Sequence, residues 1–207
     1  MGAVYFVGYN LSKLIAKVCF SYKTYHRERI PKEGGFILAM NHQSYLDPPL
    51  AGICCDREIY FLARKTLMKW PLLGPLFPAM NVIPIDQDRA DMSALKAVIK
   101  LVRAGQGTVI FPEGSRSLDG TLQPAQPGLG LVIAKTLAPV IPMRIFGAHE
   151  AFPRGQKKIR FHPITVVVGE PMRFTEADLQ DKGRDLYQRL SEQVMARIAE
   201  LKNEREE

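Results

Sequence analysis

The chain has 207 residues, 46% of them hydrophobic and 24% charged, enough to build one sizeable core and too apolar for a disordered chain. Its net charge of +7 and pI of about 9.4 favour anionic partners: phosphorylated small molecules, acidic membrane surfaces or nucleic acid. Zinc-finger spacing, an RNP aromatic motif and a continuous basic helix are all missing from the sequence, so phosphate or lipid headgroups come before nucleic acid. Three cysteines (Cys19, Cys54, Cys55) and four histidines (His26, His42, His149, His162) show neither a disulfide framework nor metal-ligand spacing, so reduced thiols and no metal are expected.

Residues 3–22 carry Val4, Val7, Leu11, Leu14, Ile15, Val18 and Tyr22 at spacings of three and four, one face of a helix, with Asn10, Lys13 and Lys17 largely opposite. Residues 1–32 hold six Lys/Arg against Glu28 alone, a net +5. An apolar face followed by positive charge suits an interfacial membrane helix; the plainer use is a helix docked on its own domain. Lys13 and Lys17 interrupt the apolar run, so neither a signal peptide nor a bilayer-spanning helix is expected.

Phe36 to Met40 reads as a short buried strand ending at Asn41-His42-Gln43-Ser44-Tyr45-Leu46-Asp47. Asp47-Pro48-Pro49 reads as a helix start, with Asp47 as N-cap and proline at the first position. Ile59 to Leu62 is a second strand. Leu67 to Pro78 is apolar but broken by prolines, which excludes one regular helix and leaves a membrane-facing lobe, an acyl groove or irregular core packing. Val82 to Ile85 is a strand, and Ser93 to Ala104 a helix stopped by Gly105. Thr108 to Phe111 is a strand and Leu129 to Leu137 a helix. Val140 to Phe146 and Ile164 to Val168 are strands, and Thr175 to Asp178 resembles a capping box. A last helix aligns Leu186, Leu190, Val194, Ile198 and Leu201. Apolar strands alternating with helices imply an α/β fold, a mostly parallel mixed sheet flanked by helices.

Five residues along one helix rotate by about 140°, so His42 and Asp47 would not share a helical face. With the helix starting at Asp47, His42 stays in the preceding loop and its ring can fold back to the carboxylate. Asp47 would then orient the imidazole and stabilise its cation, leaving the other ring nitrogen for a substrate hydroxyl. Phe111-Pro112-Glu113-Gly114-Ser115-Arg116 also follows a buried strand, where ligands approach an α/β sheet. Gly114 permits a tight turn, and Arg116 offers a fork of donors suited to phosphate. Glu113 is placed either to hold Arg116 or to accept a bond from a substrate hydroxyl. Ser115 lacks the setting of a nucleophile, and Gly128-Leu129-Gly130 is too short a signal for a dinucleotide site.

These residues resemble the glycerophosphate/lysophosphatidate acyltransferases, the PlsC-like family. Asn41, His42 and Asp47 match its NHxxxxD signature, and Phe111, Pro112, Glu113, Gly114, Arg116 and Ser117 match FPEGxRS. Val82 to Arg89 fits a looser second signature, Val140-Ile141-Pro142-Met143 the fourth, and Lys65 a basic position before the second. Where many members carry a Phe-Lys pair, this chain has Ala125-Gln126-Pro127. The resemblance implies an enzyme with His42 as general base, braced by Asp47. It would move an acyl group from acyl-CoA or acyl-carrier protein to the sn-2 hydroxyl of lysophosphatidic acid, without a cofactor. Arg89, Arg116 and Lys65, with Glu113 and Gly114, would bind the acceptor phosphate, and Asn41, Ser44, Ser115 and Ser117 would support the motifs. It further implies an N-terminal membrane-associating segment over 1–30, an acyltransferase domain over 31–207, and a peripheral or monotopic seat among membrane lipids on the cytoplasmic face. Another lysophospholipid or glycerol-3-phosphate as acceptor, a thioesterase-type hydrolase and a non-catalytic lipid-binding protein are the alternatives.

Overall fold

A computed structural model describes residues 1–71, 74–85, 92–180 and 183–205. Its frame is a seven-stranded sheet in the order β1-β7-β6-β2-β5-β3-β4. The strands are β1 (Lys23–Tyr25), β2 (Phe36–Met40), β3 (Ile59–Arg64), β4 (Val82–Ile85), β5 (Gly107–Ile110), β6 (Val140–Phe146) and β7 (Thr165–Val168). Neighbours pair in parallel except β6 with β7, so the mixed, mostly parallel sheet expected from the sequence is what forms.

The central strand β2 is buried on both faces, as a strand between two helical layers must be. Phe36, Leu38 and Met40 point into a core closed by α1 (Ala3–Phe20) and α2 (Asp47–Ile53). Ile37 and Ala39 point into the opposite core, closed by α3 (Met92–Arg103), α4 (Gly128–Thr136) and α6 (Gly183–Glu200). A four-residue helix, α5 (Ala148–Ala151), follows β6. Pro84 is tolerated in β4 because that strand is at the sheet edge.

Gly130 belongs to helix packing and not to a nucleotide loop. A Cβ there would lie 1.9 Å from the Tyr187 carbonyl oxygen of α6, and its own N–H donates to Ser191 Oγ at 2.8 Å. Lys65–Lys69, Gly74–Leu76 and Pro78–Met80 form separate 3₁₀ turns, the interrupted structure that prolines dictate.

Three readings need correction. Asp47 is the first residue of α2 and not its N-cap; apolar Leu46 holds that place, and the Asp47 carboxylate turns back into the preceding loop instead of capping the helix. Tyr22 does not extend the apolar stripe of α1: the helix ends at Phe20, Ser21 turns left-handed at φ 42°, and the Tyr22 hydroxyl donates to the Leu50 carbonyl. Leu201 falls beyond the end of α6.

The helix α1 has two apolar faces. Tyr5, Ala16 and Phe20 are buried against the domain, while Val4, Phe6, Val7, Leu11, Leu14, Ile15 and Val18 remain in solvent, Val18 at 72% exposure. Docking on its own domain therefore does not use up the face that the sequence pattern displays. Among the described residues, no helix is long and apolar enough to cross a membrane.

Candidate active site

Parallel strands β2 and β5 lie side by side with Ala39 opposite Ile110. Three residues past each register partner stand His42 and Glu113, so the sheet delivers both motifs to the same edge. The two loops are then stitched together. The His42 N–H donates to Glu113 Oε1 at 3.0 Å, and the Ser117 N–H donates to the His42 carbonyl at 2.8 Å. The imidazole stacks on Phe111, with ring centroids 4.0 Å apart and planes 16° from parallel.

His42 Nδ1 is 2.7 Å from Asp47 Oδ2. That same oxygen accepts the N–H groups of Gln43 at 2.6 Å and Ser44 at 2.7 Å, so the carboxylate both shapes the loop and fixes the ring. Asp47 is fully buried, and among the described residues its Oδ1 has no hydrogen-bond partner; turning the carboxylate toward solvent would break the three bonds on Oδ2. The His42 side chain is 16% exposed, and among the described residues its Nε2 has no hydrogen-bond partner; this is the nitrogen open to a ligand.

Asn41 and Gln43 anchor the loop to β6. The Asn41 side chain exchanges bonds with the backbone of Ile145, donating to its carbonyl at 3.2 Å and accepting its N–H at 2.8 Å. Gln43 Nε2 donates to the same carbonyl. Buried Ser44 donates its hydroxyl to the Phe152 carbonyl at 2.7 Å. Ser117 is buried too, its hydroxyl donating to Asp119 Oδ1 and accepting the Gly120 N–H. Ser115 is exposed. Gly114 takes φ +71°, and a Cβ there would meet Gln126 Cγ at 3.2 Å, so the turn needs glycine. The departure at Ala125-Gln126-Pro127 is built into this turn: the Gln126 N–H donates to the Pro112 carbonyl at 2.7 Å.

Glu113 does not sit as a phosphate ligand. It is buried, with Oε1 on the His42 N–H and Oε2 on the Gln123 N–H. Burial pushes its carboxyl up to about 7, the two N–H bonds opposing and the nearby Asp47 charge adding to the rise. A carboxyl half-neutral near pH 7 repels a phosphate far less than a full carboxylate.

Arg116 lies flat on Tyr45, its guanidinium carbon 3.5 Å from the ring centroid, and its Nη1 is buried with no hydrogen-bond partner among the described residues. A guanidinium held by its face keeps its edge for an anion. The sequence motif contains Tyr45 but gives no sign of this stacking, nor of Phe111 beneath the imidazole. Lys65 is exposed just past the carboxyl end of β3, on the same sheet edge but not bonded to the His42, Asp47 and Glu113 group. Arg89 lies outside the described residues. Cys54 and Cys55 are buried and burial raises both thiols, so neither is a thiolate nucleophile. Among the described residues, no cluster of His, Cys, Asp or Glu is arranged to hold a metal ion.

A family model described as Acyltransferase matches residues 21–146, spanning both motifs and most of the sheet. The chain belongs to the acyltransferase family. It is 27% identical over 199 residues to a 1-acyl-sn-glycerol-3-phosphate acyltransferase of Bacillus subtilis (strain 168), covering 94% of each protein. It is 31% identical over 146 residues to the chloroplastic 1-acyl-sn-glycerol-3-phosphate acyltransferase BAT2 of Brassica napus, covering 69% of this chain but 42% of the plant protein. The crystal structure of the 1-acyl-sn-glycerophosphate (LPA) acyltransferase PlsC from Thermotoga maritima superposes with a TM-score of 0.75 at 25% identity, covering 96% of this chain and 80% of that one. The α/β frame is thus that of a known acyltransferase.

Proposed function

We propose that this acyltransferase esterifies the sn-2 hydroxyl of lysophosphatidic acid with a fatty acyl group from acyl-CoA or acyl-carrier protein, giving phosphatidic acid. The observation that carries the reading is the buried Asp47 carboxylate on His42 Nδ1, which leaves Nε2 as the basic nitrogen at the sheet edge. The names borne by the Bacillus and Brassica relatives point to the same acceptor.

In this reading Nε2 takes the hydroxyl proton as the acceptor oxygen attacks the thioester carbonyl. The C–O bond forms, the C–S bond breaks, and the imidazolium returns its proton to the departing thiolate. Asp47 stabilises the transient cation, a contribution that grows in a water-poor site. Positioned base catalysis of this kind is worth about 10²- to 10⁴-fold. The unpartnered Arg116 edge takes the acceptor phosphate, with Lys65 and Arg89 as the further cations of the same cradle. Glu113 acts at one remove, holding the His42 backbone in place. No cofactor enters the scheme.

In this reading the exposed stripe of α1 lies in the bilayer interface, where acceptor and product reside, with the protein peripheral on the cytoplasmic face. Its seven uncovered apolar side chains support this seat.

The test is purified protein in detergent with labelled acyl-CoA or acyl-carrier protein, a panel of lysolipids and glycerol 3-phosphate, and separation of the products. Labelled phosphatidic acid from lysophosphatidic acid is the expected result, lost in His42→Ala at unchanged fold. Thioester consumption that needs no acceptor would replace acyl transfer by hydrolysis.

A further inference from the structure

The segment joining α5 to β7 has no part in the chemistry above, yet its composition is unusual for a connector. Residues 154–162 read Arg-Gly-Gln-Lys-Lys-Ile-Arg-Phe-His, with four Lys/Arg and no acid. Every one of them is exposed. Two are large and apolar: Ile159 at 51% exposure and Phe161 at 81%. Among the described residues, none of Arg154, Lys157, Lys158 and Arg160 forms an ion pair. Four unpaired cations around two uncovered apolar side chains form a surface that water serves poorly.

Both ends of this segment are pinned. At one end Pro153 bridges to Ser44 and the Phe152 ring lies 5.3 Å from that of Tyr45, the residue on which Arg116 rests. At the other end the Ile164 N–H donates to the Phe20 carbonyl of α1 at 2.9 Å. Phe161, His162 and Pro163 share a shallow depression with Val18, Cys19, Phe20 and Ser21. Val18 belongs to the exposed apolar stripe of α1. The loop therefore runs from the rim of the active site to the end of the uncovered helix face and prolongs that face with aromatic and basic groups.

We infer that residues 154–162 are a second bilayer-docking element, selective for an anionic phospholipid surface. Ile159 and Phe161 enter the headgroup boundary beside Val18, and Arg154, Lys157, Lys158 and Arg160 contact lipid phosphates. A single interfacial helix can roll about its own axis; a second contact off that axis stops the roll. Because the loop is tied to Ser44 and Tyr45, the contact also sets which way the acceptor site faces. The inference rests on the reading of α1 as an interfacial helix.

The full chain and three variants are tested by co-sedimentation with vesicles of phosphatidylcholine alone and of phosphatidylcholine mixed with phosphatidylglycerol. The variants are Lys157→Ala/Lys158→Ala/Arg160→Ala, Ile159→Ala/Phe161→Ala, and Leu11→Asp/Leu14→Asp on the stripe of α1. Each cation at an anionic surface is worth about fivefold in partition, so the variant lacking three should bind the anionic vesicles about 100-fold more weakly at low salt. Its binding to phosphatidylcholine alone and its turnover of a short-chain, monomeric lysophosphatidate should stay at the parent level. The Ile159→Ala/Phe161→Ala variant should weaken binding to both vesicles. Parent-like binding of the triple variant to anionic vesicles would overturn the inference and leave the interfacial α1 standing. Failure of the parent chain to bind either vesicle, or parent-like binding by Leu11→Asp/Leu14→Asp, would instead remove the reading beneath it. A raised KM for acyl-carrier protein with vesicle binding unchanged would assign the loop to an acidic protein partner and overturn the lipid assignment.

Discussion

Replacing Asp47 by Asn tests the central electrostatic claim with little change of shape. An amide oxygen in the place of Oδ2 can still accept from His42 Nδ1 and from the Gln43 and Ser44 N–H groups, so the loop geometry should survive. What disappears is the negative charge facing the imidazolium as it forms. With centres about 4 Å apart and an effective dielectric of about 20, that attraction is on the order of 4 kcal/mol. Divided by 1.36 kcal/mol per decade, the loss is roughly 10³-fold in kcat. The KM for the acceptor should hardly move, since the phosphate grip is on Arg116. The substituted NH₂ would occupy the buried, unpartnered site of Oδ1, adding a stability cost of about 1–3 kcal/mol that a melting curve would register. The assay is thiol release from acyl-CoA at saturating short-chain acceptor. A kcat within tenfold of the parent would refute the role given to Asp47.

Arg116→Ala should raise the apparent KM for the phosphorylated acceptor by about 10- to 100-fold, the worth of a charge-assisted contact, with kcat nearly intact; a shift confined to the KM of the acyl donor would dismiss the phosphate role. Glu113 carries its proton more tightly in the folded state, about 7 against 4.5. Its contribution is therefore full below about pH 4.5 and is lost as pH rises through about 7, by less than about 3 kcal/mol once solvent screening is allowed for. From about pH 4.5 to 7 the melting temperature of the parent should therefore fall relative to that of Glu113→Gln; a pH-independent difference would contradict the buried-carboxyl reading. Gly114→Ala should cost about 1–2 kcal/mol in stability, because an L side chain is strained at φ +71° and its Cβ meets Gln126; an unchanged melting temperature would show that the turn relaxes.

Most of the frame could be read from local pattern because β2, β3, β5 and β6 are short apolar runs between turn signals, and α3 and α6 have clear stripes. β1 could not: Lys23–Tyr25 is a polar three-residue strand whose pairing with Thr165–Val167 is supplied entirely by β7. The stripe of α1 was visible, but the second face at Tyr5, Ala16 and Phe20 was not, since three widely spaced residues do not announce a packing partner. It changes the experiment that should be done: removing residues 1–22 would strip Ala16 and Phe20 from the core, whereas charging Leu11 and Leu14 alters only the exposed stripe. At the site, the imidazole and its acid were legible because both lie within one short motif. Glu113 was misread as a phosphate ligand because its two partners are backbone N–H groups, which no side-chain pattern encodes.

The two motifs become one site through the register of a single pair of strands. His42 and Glu113 are 71 positions apart in sequence, and nothing in either motif says they touch. The parallel ladder that sets Ala39 against Ile110 brings them level. Three contacts then converge on His42: Glu113 on its N–H, Ser117 on its carbonyl and Phe111 under its ring. Each comes from the β5 loop, while the charge partner Asp47 comes from its own loop. A slip of one residue between β2 and β5 would turn the apolar side chains of β2 to the wrong layer, so the two cores of the fold hold the register. The imidazole is thus aimed by packing far below it, and the acid of the second motif serves the aim rather than the substrate.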